Sequence, residues 1–150
     1  MIQPMNRRTF LRAAGLALPV RGDVVPRINA ARLRQHLEEM SVFGRSAGGT
    51  FADGVSRVGF SDADVAGRAY VKQVMRSAGL EPRVDAAGNI WTRRTGGDAK
   101  LAPVLFGSHI DSVPNGGNFD GDLGSLAAIE VIQRLNEGSI VTRRPLEIVV

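Results

Sequence analysis

The chain has 150 residues, of which 43% are hydrophobic and 23% charged; that length supports one mid-sized domain with a core, and that mix excludes wholesale disorder. No apolar run approaches the roughly 18–20 residues that cross a bilayer as a helix, and the absence of cysteine excludes disulfides, thiolate metal sites and cysteine nucleophiles. The net charge of +4 does not mark a nucleic-acid surface: residues 1–21 hold four arginines and no acid, leaving 15 bases against 15 acids in the rest, so the basicity belongs to the N-terminal segment.

That segment comes first in chain order. Arg7-Arg8-Thr9-Phe10-Leu11-Arg12 is followed by the small-residue apolar stretch Ala13 to Pro19. A paired arginine, a hydrophobic pair and an apolar run resemble a twin-arginine signal peptide. The resemblance implies export of a folded protein to the periplasm; a basic N-terminus on a cytoplasmic enzyme is the alternative. Residues 1–25 are therefore assigned to a signal segment and 26–150 to the fold.

From Ile28 to Val42 apolar residues recur at 28, 33, 37 and 40, the stripe of a helix, with Asn29 as its cap. Residues 44–59 hold five glycines and no period, which predicts a loop. Ser61 caps a second helix whose first turn carries Asp62 and Asp64; Val65, Ala69, Val71, Val74 and Met75 are its expected buried face, and Gly79 its end. Residues 82–86 and 89–93 read as a hairpin around Asp85-Ala86-Ala87-Gly88-Asn89. Residues 103–107 form an apolar run typical of a buried strand. A glycine-rich polar loop follows, then a helix from Asp122 to Asn136 and a strand from Leu146. Strand, loop, helix, strand is a crossover unit of an α/β sheet, whose ligands gather beyond the carboxyl ends of the strands. The last strand is reached before any loop that would carry more of a site, so the sequence is expected to be the first part of a longer catalytic domain.

The chemistry is concentrated in residues 107–124. His109 and Asp111 stand two apart at a strand end, so both can face one side. A carboxylate on one imidazole nitrogen leaves the other free for a metal, the usual support of a ligating histidine. Asp120 stands eleven residues on, between Phe119 and Gly121 and just ahead of a helix, where both its oxygens can be free. A calcium loop begun at Asn118 would need glycine at 123 and glutamate at 129, where Leu123 and Ile129 stand. A phosphate loop would need a lysine that is missing. His36, mid-helix among Arg34, Gln35, Glu38 and Glu39, reads as a satisfied polar group rather than a ligand.

These residues carry a resemblance. The pattern His-x-Asp-Ser-Val-Pro-x-Gly-Gly-x-x-Asp-Gly-x-x-Gly runs from His109 to Gly124. It resembles the di-metal aminoacylase and carboxypeptidase-like hydrolases, and within them the branch of N-carbamoyl-L-amino-acid hydrolase, allantoate amidohydrolase and β-ureidopropionase. Gly48-Gly49, Phe60 to Asp64, Gly79-Leu80 and Asp85 to Asn89 support it. The resemblance implies the N-terminal part of a three-layer α/β/α catalytic domain and hydrolysis of linear amide or ureido C–N bonds. His109 would hold one of two divalent ions (zinc, or manganese, cobalt or nickel), Asp120 would bridge both, and Asp111 would orient His109 without binding metal. In the family a Glu-Glu pair supplies the general base and a ligand. Further histidine ligands, the carboxylate-binding residues and a lid or dimerisation domain also lie downstream of the strand from Leu146. The implied substrate is a small N-carbamoyl or ureido compound, the implied assembly a homodimer, and these 150 residues alone are expected to be inactive. A related metallopeptidase or deacylase, or a non-catalytic binding domain, are the alternatives.

Overall fold

The computed structural model describes residues 26–150; the paired-arginine segment read as an export signal lies outside them. Helix α1 (Ala30–Met40) starts where the Asn29 side chain accepts the backbone N–H of Arg32, and it buries Leu33, Leu37 and Met40. Helix α2 (Asp62–Ser77) starts under Ser61, whose side chain accepts from the Asp64 N–H, with both expected acids in its first turn. Gly79, at φ 78°, turns the chain out of the helix, a conformation that glycine adopts without strain.

The inward face of α2 differs from the sequence reading. Asp64, Gly67, Val71, Val74 and Met75 are buried, whereas Val65 and Ala69 are exposed. The helix is rolled toward Gly67 because a large side chain must pass there: a Cβ on Gly67 would lie 2.9 Å from Arg57 Cδ and 3.0 Å from Met40 Cε.

Strands β1 (Arg83–Val84) and β2 (Ile90–Arg94) form the expected antiparallel hairpin. The Asp85 carboxylate builds its turn, accepting from the backbone N–H groups of Ala87 and Asn89, from Asn89 Nδ2 and from Trp91 Nε1. Strand β3 (Val104–Gly107), helix α3 (Asp122–Glu137) and strand β4 (Leu146–Val149) make the crossover, with β3 parallel to β4. The sheet order is β1-β2-β4-β3, and β2 lies antiparallel to β4. The sheet is therefore mixed, and the chain α/β.

Strand β3 is not the enclosed strand its composition suggests. Val104 and Leu105 remain about half exposed, because β3 is the edge of the described sheet and pairs only with β4. The core gathers Leu33, Leu37 and Met40 of α1, Val71 and Met75 of α2, and Leu126, Ile129 and Ile132 of α3 against Ile90 and Ile148 of the sheet. Burying each such side chain contributes about 1.5–3 kcal/mol. The alternate sheet face carries the Arg93–Glu147 ion pair and Leu105, so the described residues supply the sheet and the helices packed on its Ile90–Ile148 face. No helix among them is long and apolar enough to cross a membrane.

Candidate functional site

The loop from Ser108 leaves the carboxyl end of β3, and α3 begins beside it. At Gly121 the backbone adopts φ 71° and passes so close to His109 that a Cβ there would stand 2.5 Å from its carbonyl oxygen and 2.6 Å from ring atoms Cε1 and Nδ1. Gly124 likewise lies against Ser108, where a Cβ would be 2.8 Å from the serine Cβ. These two close approaches explain the glycines that flank Asp120 and Asp122 in the sequence pattern.

The structure brings the three sequence-derived site residues together. His109 Nδ1 lies 3.2 Å from Asp111 Oδ1 and 3.1 Å from the Asp111 carbonyl. His109 Nε2 points the other way, 3.9 Å from Asp120 Oδ1. All three side chains are open to solvent, Asp120 at 81%. A tetrahedral ion about 2.0–2.1 Å from each of two donors would hold them roughly 3.3 Å apart, so a small rotation of the Asp120 side chain closes the pair on one cation. An imidazole held at Nδ1 and open at Nε2, opposite a free carboxylate, suits a divalent ion of the zinc or manganese type. The donor set is incomplete: among the described residues no group of three or more His, Cys, Asp or Glu side chains converges to hold a metal. His36 stands apart, its Nδ1 2.7 Å from the Tyr70 hydroxyl, which donates to Glu39. Burial and that Glu39 contact push the Tyr70 hydroxyl well above its ordinary value.

Beneath the exposed triad lies a buried polar frame that the sequence reading did not single out. Ser125, fully buried on α3, donates to the His109 carbonyl at 3.0 Å. Arg57, 1% exposed, donates from Nε to the Ile110 carbonyl at 2.5 Å, from Nη1 to the carbonyls of Met40 and Phe43, and from Nη2 to Asp122 Oδ2 at 2.5 Å. Burial pushes the Asp122 carboxyl up to about 6 against the pull of Arg57. Asn118 donates from Nδ2 to the carbonyls of Phe51 and Asp53, which ties the glycine-rich loop to the turn before Asp120. The one available signal for Arg57 was a base between two valines, Val55 and Val58, in a glycine-rich segment. Asp122 was masked by its ordinary role as an acid in a first helical turn.

A cavity of about 290 Å³ opens beside the triad, lined by Gly59, Phe60, Asp64, Arg68, His109 and Asp111 among others. Phe60 holds φ 66°, unusual for an aromatic residue. Its N–H donates to the Asp64 carboxylate, and its ring is 93% exposed.

The mixed α/β crossover thus carries a histidine and two carboxylates beyond the carboxyl end of β3. No protein-family model matches the chain. It is 43% identical over 122 residues to an N-carbamoyl-L-amino acid amidohydrolase of Geobacillus stearothermophilus, covering 81% of this chain and 29% of that protein. It is 37% identical over 122 residues to a ureidoglycolate hydrolase of Oryza sativa subsp. japonica, covering 81% of this chain and 24% of that one. Its fold is similar to the crystal structure of a hydantoinase/carbamoylase family amidase from Burkholderia ambifaria, with TM-score 0.76, 47% identity, and coverage of 83% of this chain and 29% of that one. The described residues thus share sequence and fold with the hydantoinase/carbamoylase amidohydrolases, the branch the His109–Gly124 pattern resembles. The chain spans less than a third of the length of these relatives.

Proposed function

We propose that residues 26–150 form the N-terminal part of the catalytic domain of a metal-dependent hydrolase of linear amide or ureido C–N bonds, acting on an N-carbamoyl amino acid, allantoate or ureidopropionate type of substrate. The observation that carries this reading is His109, backed at Nδ1 by Asp111 and facing Asp120 from Nε2, within a stretch 43% identical to a carbamoylase. His109 and Asp120 would hold the metal, and Asp111 fixes the ring so that Nε2 keeps its lone pair outward. Two divalent ions would supply Lewis-acid polarisation of the scissile carbonyl and a water acidic enough to attack it near neutral pH. Two direct donors fall short of the roughly four that each such ion needs, so the 150 residues by themselves are assigned no turnover. The whole protein is proposed to be a homodimer exported to the periplasm.

The test is a chimera in which residues 26–150 replace the matched part of the Geobacillus carbamoylase. It should release ammonia from N-carbamoyl-L-amino acids and lose that activity to a chelator. His109→Ala should remove one metal and most of the activity, and Asp120→Ala should lower the content of both metals. Unchanged metal stoichiometry in both variants would overturn the assignment.

A further inference from the structure

We propose that Arg57, with Asp122 as its counter-ion, is the positioning residue that sets His109 against Asp120. The effect on metal affinity rests on the reading of His109 and Asp120 as a metal-holding pair; the effect on ring geometry does not.

His109 and Asp120 stand at opposite ends of one loop between β3 and α3, and Arg57 grips both ends. Its Nε holds the Ile110 carbonyl at 2.5 Å, in the peptide between His109 and Asp111. Its Nη2 holds Asp122 Oδ2 at 2.5 Å, and the Asp122 N–H donates to the Asp120 carbonyl at 2.8 Å. Its Nη1 anchors the guanidinium to α1 through the Met40 and Phe43 carbonyls. The backbone of Arg57 adds a second grip: its N–H donates to Ser112 Oγ at 2.9 Å and its carbonyl accepts from the Ser112 N–H at 2.8 Å. One rigid planar fork therefore spans the distance from the His109 loop to the Asp120 turn.

Arginine suits this task because its donors leave a fixed plane in several directions, which a lysine ammonium cannot copy. Stability alone does not explain the pair. Both side chains are 1% exposed, and buried ion pairs can often be exchanged for apolar residues at no loss of stability. Asp122 Oδ1 is also buried without a hydrogen-bond partner, a further cost of placing the carboxylate there. What an apolar pair could not reproduce is the directed hold on the Ile110 carbonyl. The room for the fork is built in, since α2 carries Gly67 where a Cβ would lie 2.9 Å from Arg57 Cδ.

The test uses the 150-residue chain and two variants, Asp122→Asn and the double replacement Arg57→Met with Asp122→Leu. The first readout needs no metal: the nuclear Overhauser effect between the His109 ring Hε1 and the Gly121 Hα protons, which the close packing at Gly121 demands. The second is titration with Co²⁺ alone, following the His109 ring resonances, with His36, the other of two histidines, as the internal control. Wild type should show the Overhauser contact and a saturable Co²⁺ shift at His109 but not at His36. Well below their melting temperatures, both variants should lose or weaken the contact and bind Co²⁺ about 10–100-fold less tightly, the range for residues that orient a ligand. A folded variant that keeps the contact, with Co²⁺ affinity within twofold of wild type, would overturn the proposal. Unfolding of both variants would overturn it too, because the pair would then be a requirement of folding. A wild-type contact without any Co²⁺ response at His109 would sink the metal reading, while the contact in the variants still decides the positioning role.

Discussion

Replacing Glu130 tests how α1 is fastened to α3. Its carboxylate is 1% exposed and accepts three hydrogen bonds: from the Asn29 N–H at 2.7 Å, Arg32 Nε at 2.6 Å and Arg32 Nη2 at 2.9 Å. Those bonds hold the Arg32 guanidinium above its already high ordinary value. Breaking a fully buried pair by removing one partner costs about 3–5 kcal/mol, and breaking an exposed pair about 0–1 kcal/mol. Arg32 is 21% exposed and also reaches Glu137, so it can turn to that partner and to water. The Asn29 N–H at the start of α1 has no such escape and is left unsatisfied, at about 1–3 kcal/mol if water stays out. Glu130→Ala should therefore cost about 3 kcal/mol. At a slope of about 2 kcal/mol per molar urea, the midpoint falls by roughly 1.5 M. Arg32→Met should cost about as much, since it strands the buried carboxylate. The double variant Arg32→Met with Glu130→Leu should recover to within about 1 kcal/mol of wild type. As a control, Glu38→Ala breaks the exposed Arg34–Glu38 pair and should stay within about 0.5 kcal/mol. Urea unfolding followed by circular dichroism in dilute protein measures all four. If Glu130→Ala and Arg32→Met each cost less than about 1 kcal/mol with unchanged slope, the pair behaves as a surface contact and the reasoning is wrong.

Other expectations bear on the site, the hairpin and the N-terminal segment. Gly121→Ala forces a left-handed conformation on alanine, at about 1–2 kcal/mol, and drives a methyl into the His109 ring, at about 1–3 kcal/mol more; thermal melting should show the combined loss, and a melt matching wild type would contradict the packing. Asp85 is held at about 2, below its ordinary 3.8, by hydrogen bonds from Asn89 and Trp91. That depression is a contribution present above the ordinary value and lost as pH falls through about 2. Trp91, the single tryptophan, donates to Asp85 at 2.7 Å, so its fluorescence should report a step near pH 2 that Asp85→Ala abolishes; a step at the ordinary carboxylate value would refute the turn. Replacing Arg7 and Arg8 by lysine keeps the charge yet should block export of a reporter fused after residue 40, because a receptor reads the pair; equal periplasmic signal from both versions would remove the export proposal.

What was legible in the sequence was local. Asn29 and Ser61 cap their helices through N–H groups three residues on, and the Asp85 turn closes within six residues. Such features need no knowledge of the remaining fold. The His109, Asp111 and Asp120 grouping was legible because its members are close in sequence and glycine punctuates the loop between them. The inward face of α2 was not, since Val65 and Ala69 fit a helical stripe as well as Gly67 does; only the passage of Arg57 selects the glycine face. The exposure of β3 depends on how many strands flank it, and its apolar composition is the same in either case. Arg57 escaped notice because its acceptors at Ile110 and Asp122 lie 53 and 65 residues away, and no period or motif connects positions that far apart.

Four of the buried polar residues share one arrangement. Arg57, Asn118, Asp122 and Ser125 are all 6% exposed or less, and each hydrogen-bonds backbone or side chains within the loops that flank His109 and Asp120. The apolar core of Val71, Met75, Ile129, Ile132 and Ile148 lies behind them. Apolar packing constrains volume and tolerates small slides between elements, whereas a buried hydrogen bond fixes direction to within a few tens of degrees. Loops beyond the end of a strand receive little positional control from the sheet ladder. Chain that must hold a histidine and a carboxylate at a set separation therefore needs directed bonds beneath it, and the polar interior supplies them where the ladder stops at Gly107. The division predicts unequal responses to mutation. Ile132→Ala should lower stability by about 2–5 kcal/mol and leave the separation of His109 and Asp120 unchanged in the folded fraction. Ser125→Ala removes the hydrogen bond to the His109 carbonyl, at about 1 kcal/mol, and should disturb the ring more than its stability cost suggests. Comparing the His109–Gly121 Overhauser contact in these two variants separates the roles. If Ile132→Ala moved the ring as much as Ser125→Ala does, the apolar core would be setting the site geometry.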